Sequence, residues 1–304
     1  MIDNKLKTLF IAARPPFLIL TPVCVFLGFS AALYENVLLD QYITQKLVLV
    51  ILFGSICAHI SVNMLNEYLD FKSGLDLKTA RTAFSGGSGA LPANPDAAKP
   101  TLMMGIVMLI ITSIIGIYLL LTRGNLIAPI GIAGVVLIIC YTKLLNKRPL
   151  LCLLAPGLGF GILMVIGSYV VLTGKHAQLA WLLSVPPFLL INNLLLLNQY
   201  PDINVDASIG RKTLPIAYGI TISNLVYVLF AGSCYSLIVY YVSKEYIPRL
   251  GLIALLPLLC SVYAAYGAVK HGAKIGQFPR YMAANVAASI LLPLLLGLGL
   301  LLGQ

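Results

Sequence analysis

Apolar runs of about 20 residues recur from one end of this 304-residue chain to the other, each long enough to cross a hydrocarbon layer ~30 Å thick. Backbone groups in lipid have no water to bond, so each crossing must be a helix or part of a closed barrel. The unbroken Leu, Ile and Val of these runs lack the alternation of a membrane barrel strand, which leaves helices. Composition agrees, with 60% hydrophobic and 10% charged residues and a mean hydropathy of +0.96, whereas soluble domains carry roughly 25% charge. The expected fold is an all-α polytopic membrane protein, one domain over 1–304, with about nine spans near 16–34, 46–68, 101–122, 126–145, 150–173, 178–200, 214–242, 249–270 and 281–302.

The formal net charge of +10 would point to nucleic acid in a soluble protein, but here Lys and Arg stand singly between apolar runs. Topology accounts for them. With the N-terminus placed in the cytoplasm, only Lys46, Arg123, Lys175, Lys244 and Arg249 of the 20 Lys and Arg fall on the outer side. The basic N-terminus precedes an apolar core longer than that of a signal peptide, so the first run reads as a retained helix. Cys24, Cys57, Cys140, Cys152, Cys234 and Cys260 lie within or beside apolar runs, without a CxxC pair, and read as small buried hydrophobes.

Acidic residues are less evenly spread, for Glu67, Asp70, Asp76, Asp202 and Asp206 are five of the ten in the chain. They fall in two clusters after the second and sixth spans, both at the cytoplasmic side, which hints at a weak internal repeat. At about 100° per residue, His59, Asn63, Asn66 and Asp70 share one helix stripe. Polar side chains inside a membrane are costly and face a protein interior or a wet cavity. The second cluster repeats the spacing, with Asn198, Asp202 and Asp206 four residues apart and Pro201 able to kink or end the helix. A loop near 70–100 follows the first cluster and carries the glycine-rich segment 84–89.

Carboxylates and amide oxygens without Cys or paired His suit a hard cation such as Mg²⁺, completed by waters and phosphate oxygens. The carboxylate and amide oxygens of segments 66–76 and 198–206, with Asn198 among them, are the candidate metal ligands. Lys72, Lys78, Arg81, Lys143, Lys147, Arg148, Arg211 and Lys212 lie on the same side and could clamp a polyanion. A diphosphate site at the mouth of an apolar bundle suits an isoprenoid diphosphate, with metal at its head and hydrocarbon in the bundle. Loss of the diphosphate would leave an allylic cation, for which Tyr68, Tyr141, Tyr169 or Tyr200 are candidate cation–π partners.

The segment Asn66 to Asp76 resembles the N-x₃-D-x₅-D motif of the UbiA superfamily of intramembrane prenyltransferases, and Tyr200 to Thr213 resembles its second motif, D-x₃-D followed by basic residues. Arg14-Pro15, the Tyr141-x-Lys143 region and the position of both motifs after spans 2 and 6 are similar too. The resemblance implies a helical bundle around a central cavity and Mg²⁺-dependent transfer of a polyprenyl group to an acceptor, with two ions bridged by the diphosphate. It implies that Asn66, Asp70, Asp76, Asp202 and Asp206 bind the metal and diphosphate, that Asp70, Asp202 and Asp206 are catalytic, and that Arg81, Lys143, Arg211, Lys212, Tyr141 and Tyr200 adjoin the diphosphate. The D-F-K-S-G-x-D form and the loop after it most resemble the branch that prenylates 1,4-dihydroxy-2-naphthoate in menaquinone biosynthesis, in the cell membrane with active-site loops cytoplasmic. At 150–157 the sequence is LLCLLAPG, where many relatives carry a polar pair, which leaves a different acceptor open.

Two other classes fit less well. Thr79-Ala80-Arg81 resembles part of a CDP-alcohol phosphotransferase motif, but Leu77 follows Asp76 and no close aspartate pair comes next. A secondary transporter would share the internal repeat and the intramembrane polar residues, with sites expected at the midplane.

Overall fold

The computed structural model describes residues 2–35 and 41–303. Among them, eight helical segments are long and apolar enough to cross a membrane. The fourth expected span, 126–145, is the departure: its helix, Ile127–Tyr141, has 15 residues, about 22 Å at ~1.5 Å per residue. Beyond Tyr141 the chain turns and makes a 3₁₀ turn at Leu145–Lys147, which carries Asn146 inward.

Breaks in the helices follow from Pro and Gly. Arg14 adopts a left-handed backbone, φ 54°, and Pro15 after it disfavours continuation of the right-handed helix through Arg14. It divides Ile2–Ala12 from Pro15–Leu18 and Leu20–Tyr34. The second span, Gln41–Lys72, is 32 residues long, so it outruns a ~30 Å layer and carries the first Asn/Asp cluster out at its end. The fifth is helical over Pro149–Pro156, a π-helix over Gly157–Met164 and α-helical again over Val165–Thr173. Wide π turns leave backbone groups to be satisfied from elsewhere, and Asn192 on the sixth span accepts the Gly157 N–H at 2.7 Å.

The sixth span, Gln178–Asn198, is the most enclosed: 72% of its apolar window is buried. The third, Ala98–Arg123, is the most peripheral at 11%, with Met103, Ile106, Ile110, Ile114, Ile117 and Leu121 exposed along one side. That continuous apolar face is what a lipid-facing helix presents. Leu214–Ser243, a broken segment Arg249–Gln277 and Pro279–Leu302 complete the bundle. One buried cluster joins the first, fifth, sixth and last spans through Leu27, Tyr169, Leu183, Leu190 and Leu296, and a second gathers Leu197, Tyr200, Tyr227 and Tyr281 at the other side of the sixth.

Candidate active site

The cavity lined by the second to sixth spans and by residues 10–20 ahead of and in the first measures about 870 Å³. It runs from a polar mouth to apolar walls at Leu119, Ile127, Phe160 and Val171. His59, Asn63, Asn66 and Asp70 all line it, as their common stripe predicts. His59 is anchored to Thr21 Oγ1 at 2.8 Å and meets Phe160 edge-on, with ring centroids 4.5 Å apart. Asn63 donates to the Ala13 carbonyl at 3.0 Å. Asn66 donates to Asp70 at 3.1 Å and accepts from Thr142 at 3.0 Å, so its amide is held by the turn after the short fourth helix.

The two clusters meet at the mouth. Arg211 donates to Asp70 and, at 2.9 Å, to Asp206, tying a residue of the second span to the short helix Ile203–Ser208. Gly86, in the loop after the first cluster, donates its N–H to Asp202 at 2.9 Å. That loop is ordered and crosses the mouth, with Gly86 at φ 81° and Gly87 at φ 74°, conformations open to glycine at no steric cost. Ser88 donates to Glu67, which is fully buried and also accepts from Arg14 at 3.1 Å.

Asp76, Asp202 and Asp206 sit outside the spans, and burial is the main influence on all three. It pushes Asp76 up to about 7, with Glu67 and Asp70 adding to the effect. Asp202 is likewise pushed up to about 7, helped by Asp206 and opposed by the Gly86 N–H and Arg211. Asp206 is raised less freely because Arg211 pulls the other way. Burial also works against the Arg211 charge, but Asp70 and Asp206 outweigh it and keep the guanidinium protonated.

A divalent cation fits the oxygens left over. Asp76 Oδ2, Asn198 Oδ1 and Asp202 Oδ1 are buried without a hydrogen-bond partner, and Asp76, Asn198 and Asp202 all line the cavity. Among the described residues no three His, Cys, Asp or Glu already form a ligand shell, because Arg211 occupies the space between Asp70 and Asp206. Mg²⁺ keeps several waters and takes phosphate oxygens, so it needs only one or two carboxylates at a time.

Several expected contacts lie elsewhere. Tyr200 is fully buried, donates to Asn224 at 2.8 Å and faces the second core cluster, because the turn at Pro201 swings it off the cavity side of the sixth span. Lys143 is exposed on the turn after Tyr141, and Lys212 is exposed while its N–H donates to the Asn146 carbonyl at 2.9 Å. Arg81 lies over Gly89 at the outer side of the loop, its Nε 2.7 Å from where a Cβ on that glycine would sit. Of the four tyrosines considered as cation partners, Tyr141 lines the cavity, while Tyr169 donates to Glu35. Sequence reasoning passed over Glu67 and Arg14 as site residues. Their signal was a buried acid beside the metal motif and a lone Arg before a Pro pair.

The UbiA prenyltransferase family pattern matches residues 19–287. The chain belongs to that family. The UbiA-family chain is 30% identical over 200 residues to 1,4-dihydroxy-2-naphthoate octaprenyltransferase of Bacillus subtilis, covering 63% of its own length and 62% of the relative's. It is 26% identical over 321 residues to the protein of the same name from Haemophilus influenzae, covering 100% of its own length and 98% of the relative's. Its fold matches that of a UbiA homolog from Archaeoglobus fulgidus bound to DMAPP and Mg²⁺, with a TM-score of 0.61 at 12% identity, covering 94% and 98% of the two chains. Family membership bears out the expected prenyltransferase class and the multi-pass helical fold.

Proposed function

We propose that the protein transfers a polyprenyl group from an isoprenoid diphosphate to an aromatic acceptor, 1,4-dihydroxy-2-naphthoate, in a Mg²⁺-dependent reaction. The observation that carries this reading is the meeting of two carboxylate segments at one mouth of a deep apolar cavity, through Arg211 to Asp70 and Asp206 and through Gly86 to Asp202. An anionic head and a hydrocarbon tail are the two ends of one ligand that such a site suits. A transporter would hold its site at the midplane, with a route to both sides.

Asn66, Asp70 and Asp76 on one segment and Asn198, Asp202 and Asp206 on the other would hold Mg²⁺ together with the diphosphate. When bound, the metal neutralises the departing diphosphate and eases cleavage of the allylic C–O bond. The chain supplies the rest. Arg211, which lines the cavity, is positioned to add positive charge to the head group. The Tyr141 ring faces the cavity, where its π surface favours an allylic cation. The loop 84–89 restricts water at the mouth, which protects that cation from hydrolysis. The uneven Lys and Arg distribution supports a cytoplasmic mouth and N-terminus in the cell membrane.

Detergent-solubilised protein given Mg²⁺, a long allylic diphosphate and a panel of aromatic acceptors should release diphosphate and form a prenylated naphthol detectable by mass spectrometry. Diphosphate release with another acceptor only would correct the acceptor. No release with any acceptor would refute prenyl transfer.

A further inference from the structure

Beside the carboxylates, the cavity wall carries a second polar group that metal and diphosphate binding leave unused. Asn146, Gln199 and Thr213 are 6%, 7% and 2% exposed, and all three line the cavity. Asn146 Oδ1, Gln199 Oε1 and Thr213 Oγ1 each have no hydrogen-bond partner. Buried polar atoms are nearly always paired, and one left unpaired is a standing cost to folding. Three of them on residues that line one cavity mark a place shaped for something other than stability.

The three come from separate connections that the fold fastens together. Asn146 lies in the 3₁₀ turn after the short fourth helix, Gln199 ends the sixth span, and Thr213 precedes the seventh. Lys212 N–H donates to the Asn146 carbonyl at 2.9 Å, which sets Asn146 beside the 211–213 segment. Gln199 Nε2 donates to Cys152 Sγ at 3.4 Å, which fixes the amide and leaves its oxygen without a partner. Arg211, the neighbouring cation, is engaged by Asp70 and Asp206.

The chemistry of the group narrows its ligand. A prenyl chain has nothing to offer these atoms, and a diphosphate needs donors where unpaired oxygens stand. Carbonyl oxygens accept, and the Thr213 hydroxyl both accepts and donates, so the matching partner is a molecule that presents hydroxyl groups to them. Tyr141 and Cys152 also line the cavity, and the Tyr141 ring is a partner for an aromatic ring. We propose that Asn146, Gln199 and Thr213 form a subsite that binds the hydroxyl edge of an aromatic diol. That this diol is then prenylated rests on the function proposed above; its binding does not.

The test separates the two. 1,4-Dihydroxynaphthalene and its dimethyl ether are titrated under nitrogen into the detergent-solubilised full chain, without Mg²⁺ or prenyl donor. The wild type should bind the diol about tenfold or more tighter than the ether. Gln199→Met and Thr213→Val should each lose most of that preference while binding of a prenyl diphosphate with Mg²⁺ stays within about twofold. Because each substitution removes an unpaired buried oxygen, the melting temperatures should stay level or rise. Equal binding of diol and ether by the wild type, or a preference that persists in both variants, would overturn the subsite. So would a fall in melting temperature with the preference intact, since that is the mark of a structural role. Intact diol binding without any prenyl transfer would refute the proposed function and leave the subsite standing.

Discussion

Replacing Arg211 with Met removes the cation that joins the two carboxylate segments and leaves Asp70 and Asp206 facing each other across a buried gap. Asp206 lies 2.9 Å from the guanidinium, and the side chains of Asp70 and Asp206 are 7% and 5% exposed against 16% for Arg211. At an effective dielectric of about 20, a charge pair ~4 Å apart is worth ~4 kcal/mol before desolvation. Removing one partner of a buried pair leaves an uncompensated charge, at a cost of about 3–5 kcal/mol. The variant should therefore unfold several degrees lower than wild type in Mg²⁺-free detergent, followed by tryptophan-independent thermal scanning. Adding Mg²⁺ should return part of the loss in Arg211→Met and change the wild type less, because the ion enters a space the guanidinium has left. Adding Asp206→Asn to Arg211→Met should also recover stability, since fewer charges are then stranded. Equal melting temperatures for Arg211→Met and wild type, with the same Mg²⁺ response, would refute the bridging role.

The remaining predictions follow from other parts of the site. Asp76 and Asp202, both pushed up to about 7 in the fold, bind more protons folded than unfolded between about pH 4 and 7. Metal-free stability should therefore be greater at low pH and fall as pH rises to about 7, and Asp202→Asn should flatten that slope in thermal scans; a slope unchanged by the substitution would contradict it. Glu67→Ala strands Arg14 and frees Ser88, so it should loosen the covering loop and speed its proteolysis at a stability cost of about 3 kcal/mol. Gly161→Ala puts a Cβ 2.9 Å from Phe188 Cβ at the crossing of the fifth and sixth spans, so it should lower the melting temperature, whereas Gly116→Ala, with open space around it, should not.

The polar stripe of the second span was legible because helical periodicity fixes which residues share a face, and His59 through Asp70 do line the cavity. Separate segments were harder. The Gly86 to Asp202 bond spans 116 residues and Arg14 to Glu67 spans 53, and no local spacing encodes which loop closes over which acid. Tyr200 looked like a site residue from its place in the motif, yet the turn at Pro201 gave it to the core. The short fourth span was hidden because Leu144 and Leu145 follow Thr142 and Lys143 at its end, and their hydropathy does not distinguish helix from turn. Asn146 and Gln199 carry no periodic or motif signal and Thr213 only closes the second motif, so packing alone shows that their oxygens lack partners.

The central claim is that the two carboxylate segments act as one Mg²⁺-diphosphate site. It is tested most directly by measuring diphosphate release and prenylated product in Asp70→Ala and in Asp202→Ala, each confirmed to be expressed and folded. Loss of Mg²⁺-dependent turnover in both variants is the predicted result. Turnover at the wild-type rate in either one would contradict the account.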